Sequence, residues 1–270
     1  MDRSRMEWWR GKMIGEGGYA KIYLATLKTL NTEFPPIMAV KSATPVNTRK
    51  LQNEKRILTD LKECPQIIQC YGDDITAFKG NTFYDVFLEF APNGDLLDLI
   101  EKKPINETDI RRYTRSILQG LQYIHNKGYV HCDIKPHNIL IFPTKDGKTD
   151  VKIADFGEAK RVGSGKTSVK NFVGTTIYMS PESLVHKEQK PSCDIWALGC
   201  IVVEMVTRRN AWKLDTISRL ACTDHELPEI PSELSEQGKD FLAKCWQRDC
   251  SKRWTAEMLL NHPFVVEDNC

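Results

Sequence analysis

The eight residues His131-Cys132-Asp133-Ile134-Lys135-Pro136-His137-Asn138 place three chemically different side chains on one short stretch. Asp133 can accept or orient a hydroxyl proton, Lys135 can neutralise phosphate charge, and the Asn138 amide oxygen can bind Mg²⁺. A base, a cation and a metal ligand at this spacing suit phosphoryl transfer. A polar turn closed by asparagine is the bland alternative, and the surrounding chain has to decide between them.

Such a stretch needs elements that position it and elements that hold a nucleotide. Trp8 to Ile14 and Lys21 to Leu27 read as strands joined by Gly15-Glu16-Gly17-Gly18-Tyr19-Ala20. That is a hairpin whose glycine-rich tip can approach phosphates, because no Cβ holds the backbone away. A third strand, Ile37 to Ser42, sets Lys41 in an apolar run, where a cation can be held against phosphates and steadied by a carboxylate. Thr48 to Lys62 reads as a helix with Leu51, Ile57, Leu58 and Leu61 as its apolar stripe. Glu54 lies close to that stripe and is the natural partner for Lys41. Ile67 to Tyr71 and Phe83 to Phe90 look like two further strands, and Ala91-Pro92-Asn93-Gly94 breaks the pattern. Residues 1–91 are therefore expected as one lobe and residues 92–270 as a second, with an adenine ring able to bond the backbone of Glu89 and Ala91.

In the second part, Asn106 caps a helix that has Asp109 at the capping-box distance, apolar residues from Ile110 to Ile124, and Gly128 as its terminator. The eight-residue stretch follows immediately. Ile139 to Ile141, a turn at Lys145 to Lys148 and a strand Val151 to Ala154 then lead into Asp155-Phe156-Gly157. Asp155 thus falls at a strand end, where its carboxylate can face a metal.

Composition narrows the classes. The chain has 270 residues, 41% hydrophobic and 27% charged, as an ordinary globular protein does. Its 38 basic and 36 acidic residues are spread along the chain without a basic block, so nucleic acid is not an expected partner. No apolar run approaches the roughly 20 residues that span a bilayer, and the first ten residues hold no signal-peptide core. An intracellular protein of the cytoplasm or nucleus is expected. Nine cysteines, an odd number with no C-x-x-C pair, argue against both a disulfide framework and a zinc site.

Taken in order, these motifs resemble the eukaryotic protein kinase family over nearly the whole chain. Gly15 to Ile22 is similar to the phosphate-covering loop, Lys41 to the lysine of V-A-I-K, and Glu54 to its helix partner. Asp133 to Asn138 and Asp155-Phe156-Gly157 match next, and Ser180-Pro181-Glu182, Asp194, Gly199 and Arg253 stand at later landmarks. The resemblance implies an α+β fold in two lobes, a small antiparallel sheet with one helix and a larger, mainly helical part, forming one domain. It implies Asp133 and Lys135 as catalytic residues and Asn138 and Asp155 as Mg²⁺ ligands. ATP would be bound by Ile14, Gly15, Gly17, Ile22, Ala39, Lys41, Glu54, Glu89, Ala91 and Leu140, with Leu88 at the back of the pocket. Lys135 together with Gly174-Thr175 resembles the serine/threonine branch, which makes Thr175 a structural contact to Asp133. The runs Trp196 to Met205, Phe241 to Trp246 and Leu259 to Val265 are similar to the plant-like MAP kinase kinase kinase group. That implies a MAP kinase kinase as the protein substrate, alongside regulatory or scaffold proteins. The competing reading is a nucleotide-binding pseudokinase or signalling scaffold, but no catalytic element is missing.

Three residues depart from the family pattern. Ala20 replaces the third loop glycine, His137 stands where an acid is common, and Cys132 replaces the arginine of H-R-D. The last change removes a cation that would pair with a phosphorylated activation segment. Ser164, Thr167 and Ser168, near Lys160, Arg161 and Lys166, are the hydroxyls on offer there, and their phosphorylation is expected to tune activity only weakly. Gly163 to Thr167 imitates a P-loop but has Lys160 where G-x-x-x-x-G-K-T needs glycine.

Overall fold

The computed structural model describes residues 6–29, 34–163, 176–212 and 227–266. The chain divides into two compact units, Met1–Ala91 and Pro92–Cys270. Unit 1 is an antiparallel sheet of β1 (Trp8–Glu16), β2 (Lys21–Leu27), β3 (Ile37–Ala43), β4 (Cys70–Phe78) and β5 (Asn81–Leu88), in the order β1-β2-β3-β5-β4. One helix, α1 (Thr48–Asp60), packs on it through Leu51, Ile57 and Leu58. A cluster of Ala25, Leu27, Met38, Val40 and Phe87 forms a core of the sheet, with the Trp8 ring set edge-on to Phe87 at 5.2 Å.

Several strand boundaries differ from the sequence expectation, most of all those of β4 and β5. The strand expected from Ile67 to Tyr71 begins three residues later: Ile67 and Ile68 are buried ahead of it, outside any strand, and β4 starts at Cys70 and continues through the polar residues to Phe78. Its partner β5 ends at Leu88 rather than Phe90. The hairpin between them turns at Lys79 and Gly80, both with positive φ, as a two-residue turn that follows strand twist requires. A lysine in that position gives little signal, and the strand it closes alternates weakly because much of it faces solvent. The first helix also stops two residues short of Lys62.

Unit 2 is mainly helical: α2 (Leu96–Lys102), α3 (Glu107–Asn126), α4 (Pro181–His186), α5 (Pro191–Thr207), α6 (Glu236–Cys245) and α7 (Ala256–Leu260). The Asn106 side chain accepts from Asp109 N–H, and Gly128 ends α3 with φ at 77°. Two short ladders complete the unit: β6 (Tyr129–Val130) with β9 (Lys160–Arg161), and β7 (Ile139–Pro143) with β8 (Thr149–Ile153). Helix α5 is buried from Cys193 to Met205, so it carries no polar face, as a central helix should not. A Cβ on its Gly199 would stand 2.6 Å from Trp246 Nε1, so only glycine lets the two elements meet. No helix of the described residues is long and apolar enough to cross a membrane.

A buried fork ties α4 to the end of the chain. Arg253 donates to both oxygens of Glu182, at 2.6 and 3.1 Å, and also to the carbonyls of Ser192 and Gln247. Removing one partner strands a buried charge, so Arg253→Met is expected to cost about 3–5 kcal/mol. Restoring neutrality with Glu182→Leu in the same chain is expected to recover most of that loss in urea denaturation.

Candidate active site

Unit 1 carries a buried ion pair beneath a glycine-rich turn. Lys41 projects from β3 and Glu54 from α1, three residues after Leu51 and three before Ile57 on the buried stripe. Lys41 Nζ lies 2.9 Å from Glu54 Oε1 and 2.8 Å from Oε2, with the residues 4% and 1% exposed. A third group joins them. The Tyr19 hydroxyl donates to Glu54 Oε2 at 2.5 Å and accepts from Lys41 Nζ at 3.0 Å.

The turn above this pair leaves open space. A Cβ on Gly18 would meet nothing within 4 Å, and one on Gly17 only Ala20 O at 3.7 Å, so the fold itself does not require glycine there. Gly17 N–H is committed to Ala20 O at 2.9 Å. Ile14 is exposed, Gly15 pairs with Ile22, and Ile22 pairs with Lys41 across the ladder. Ala39 is buried opposite Leu88. Glu89 N–H donates to Gln69 O, and its carboxylate accepts from Gln69 N–H. Ala91 N–H has no backbone partner among the described residues.

Unit 2 gathers the remaining candidates. Asp133 Oδ2 accepts from Lys135 Nζ at 2.7 Å and from Asn138 Nδ2 at 3.0 Å. The same Asn138 nitrogen donates to Asp133 O at 2.8 Å. These bonds turn the Asn138 amide so that its oxygen is the end left for a cation. Oδ1 of Asp133 has no partner among the described residues. Asn138 immediately precedes β7, and Asp155 comes just after β8. Ile139 pairs with Ile153 and Ala154 N–H donates to Asn138 O at 2.8 Å, so the hairpin brings Asn138 and Asp155 to one end. Leu140 lies on β7 and also bridges to Asp95.

The loop backbone is held from behind by Asp194 on α5. Its Oδ2 accepts from His131 N–H and its Oδ1 from Cys132 N–H, each at 2.9 Å, while His125 Nε2 reaches Oδ2 at 2.9 Å. Burial alone would raise the Asp194 pKa. The hydrogen bond and charge of His125, helped by His131, outweigh burial and hold the carboxyl below the ordinary carboxylate value. His131 is fully buried. Its Nε2–H donates to Ala154 O at 3.0 Å and its Nδ1 accepts from Asp133 N–H at 3.3 Å, so each ring nitrogen has a complementary partner. Cys132 takes φ of 67° and its thiol points to Val130 O at 3.5 Å.

Two of these features escape sequence reasoning. Tyr19 is visible only as one residue of the turn, although a phenol among glycines is a signal that the turn can reach inward. Asp194 is identifiable as a landmark, but its grip on His131 and Cys132 spans more than 60 residues of chain and needs the fold. Gly174 and Thr175, and the candidate phosphosites Ser164, Thr167 and Ser168, lie outside the described residues, as does Lys166.

Comparison with known proteins agrees with this geometry. Residues 8–265 match the family model described as protein kinase domain. Mitogen-activated protein kinase kinase kinase 20 of Arabidopsis thaliana is 45% identical, over 97% of this chain and 79% of its own length. Mitogen-activated protein kinase kinase kinases 18 and 17 of the same plant are 42% and 40% identical, over 97% of this chain and 78% and 70% of theirs. The chain therefore belongs to the protein kinase family, as a serine/threonine protein kinase similar to plant mitogen-activated protein kinase kinase kinases.

Proposed function

We propose that this kinase passes the γ-phosphoryl group of ATP to a serine or threonine hydroxyl of a MAP kinase kinase, and that Asp133 orients the hydroxyl. The observation that carries the reading is the asymmetry of the Asp133 carboxylate. Among the described residues Lys135 and Asn138 both donate to Oδ2 and none to Oδ1, which we assign to the attacking hydroxyl and its proton. Lys135, 2.7 Å from that carboxylate, is the cation for charge on the transferring group.

Lys41, held by Glu54, is assigned to the nucleotide phosphates, and Gly15 and Gly17 to the backbone that covers them. The open space at Gly17 and Gly18 supports this, since the fold has no other use for it. Ile14, Ile22, Ala39 and Leu140 are assigned to apolar contact with the base, and the backbone of Glu89 and Ala91 to its polar edge. The family uses ATP and Mg²⁺ generally, and the donor set here suits that ion. An amide oxygen and one carboxylate leave room for waters and phosphate oxygens, as Mg²⁺ prefers. Among the described residues no group of three or more His, Cys, Asp or Glu forms a competing metal site. Asn138 and Asp155 would hold Mg²⁺, whose charge would neutralise phosphate oxygens.

The substrate class rests on the names of the relatives, and an intracellular setting is supported by the free thiols of Cys64, Cys70, Cys132, Cys193, Cys200, Cys245 and Cys250. The test is transfer of radiolabelled phosphate to a panel of MAP kinase kinases with catalytically dead active sites. Label is expected on Ser or Thr of at least one member and is expected to be lost with Asp133→Asn. Label confined to generic proteins would reject the substrate assignment, and equal label from the variant would reject the assignment of Asp133.

A further inference from the structure

Tyr19 is the one side chain of the glycine-rich turn that reaches the Lys41–Glu54 pair. An ammonium has three N–H donors, and Nζ of Lys41 lies within hydrogen-bond distance of three acceptors: the two Glu54 oxygens and the Tyr19 hydroxyl. A phosphate oxygen that joins Lys41 competes with these partners for its N–H groups. The hydroxyl is the neutral partner and the weaker one, because it offers the ammonium a dipole where each Glu54 oxygen offers part of a full opposite charge.

We propose that Tyr19 is a positioning residue of the nucleotide site, a placeholder that occupies Lys41 until a phosphate oxygen displaces it. This rests on the assignment of Lys41 to the phosphates. Two effects of the hydroxyl oppose each other. It braces Glu54, which would favour nucleotide binding by keeping the pair assembled, and it occupies Lys41, which would disfavour it. Occupancy wins, because both Glu54 oxygens already reach Lys41 directly in a buried setting, and the pair does not need the phenol to stay closed.

The ring is held separately from the hydroxyl. Lys41 Nζ lies 4.8 Å and Lys50 Nζ 4.4 Å from its centroid, contacts that phenylalanine retains. Tyr19→Phe therefore removes the placeholder and leaves the ring where it is. The probe is a pair of ligands, ATP with Mg²⁺ and adenosine, titrated by calorimetry into the wild-type chain and its variants. Tyr19→Phe is expected to tighten ATP by about two- to tenfold, the worth of one ordinary hydrogen bond, and to leave adenosine unchanged. In a Lys41→Met/Glu54→Gln background, which neutralises the pair without stranding a buried carboxylate, the gain is expected to vanish.

Unchanged or weaker ATP binding by Tyr19→Phe would overturn the placeholder role, as would a gain that survives in the neutralised background. If Lys41→Met/Glu54→Gln bound ATP over adenosine as strongly as the wild type does, the assignment of Lys41 itself would fall. That result is separate from any outcome at Tyr19, and it would take this proposal with it.

Discussion

Asp133→Asn is expected to lower kcat by about 10²–10⁴-fold, the usual worth of a positioned base, while leaving ATP affinity within about threefold. The reason lies in how the carboxylate is shared. Lys135 Nζ and Asn138 Nδ2 both donate to Oδ2, so an asparagine keeps its carbonyl oxygen toward them and turns its NH₂ to the Oδ1 side. A group that accepted the substrate hydroxyl's proton becomes one that can only donate.

The backbone bond from Asn138 to Asp133 O survives the change. What is lost is an ion pair whose side chains are 12% and 23% exposed, worth about 1 kcal/mol at most. The variant should therefore melt close to the wild type. Steady-state kinetics with saturating ATP, together with thermal melts, separate the cases. A kcat within about threefold of wild type would mean that Asp133 is not the base. A large fall in melting temperature would mean that the loss of activity is structural.

How much of this was legible beforehand follows from the range of the interactions. Lys41 and Glu54 could be paired on paper because Lys41 is a lone cation in an apolar run and Glu54 stands beside the apolar stripe of α1. The Asn106 cap and the Gly128 stop of α3 are local chemistry, and both stand where the sequence puts them. Ile67 and Ile68 misled because an apolar run says only that residues are buried, and an irregular segment ahead of β4 buries them as well as a strand does. The polar β4 could not be seen because polarity does not follow burial along it: Asp74 and Thr76 are half-buried, while Ile75 and Phe78 are exposed. Within the candidate site, the order of motifs located the reactive groups. It could not show which oxygen of Asp133 is engaged, or that a tyrosine from the turn reaches the buried ion pair, since both depend on side-chain directions set by tertiary packing.

Asp194→Ala is expected to be the most damaging single change away from the reactive groups themselves. It removes the acceptor for the buried amides of His131 and Cys132 and for the His125 ring. Leaving such donors unsatisfied costs about 1–3 kcal/mol each, so a loss of about 3–5 kcal/mol in stability is expected. The effect on catalysis is larger than stability alone would give. Cys132 is a non-glycine residue at φ of 67°, a left-handed conformation that costs about 1–2 kcal/mol and persists only while its surroundings hold it. Without the carboxylate the loop can relax toward an ordinary conformation, and the next residue is Asp133. A shift of about 1 Å in a reacting group can cost 10²-fold in rate, so kcat is expected to fall at least that far at temperatures where the variant remains folded. Asp194→Asn keeps one acceptor oxygen and is expected to lose less stability than alanine. The two substitutions also differ in acid. The Asp194 carboxyl titrates below its ordinary value in the folded chain, so its contribution to stability is complete above the ordinary carboxylate range and is lost as pH falls through the depressed value. Asparagine cannot titrate, and its stability curve is expected to lack that acid step. Adding Cys132→Gly to Asp194→Asn tests the strain directly. Glycine accepts positive φ without penalty, so part of the lost kcat is expected to return. If it does not, the loop is held by its other contacts, and Asp194 acts through the stability of α5 alone.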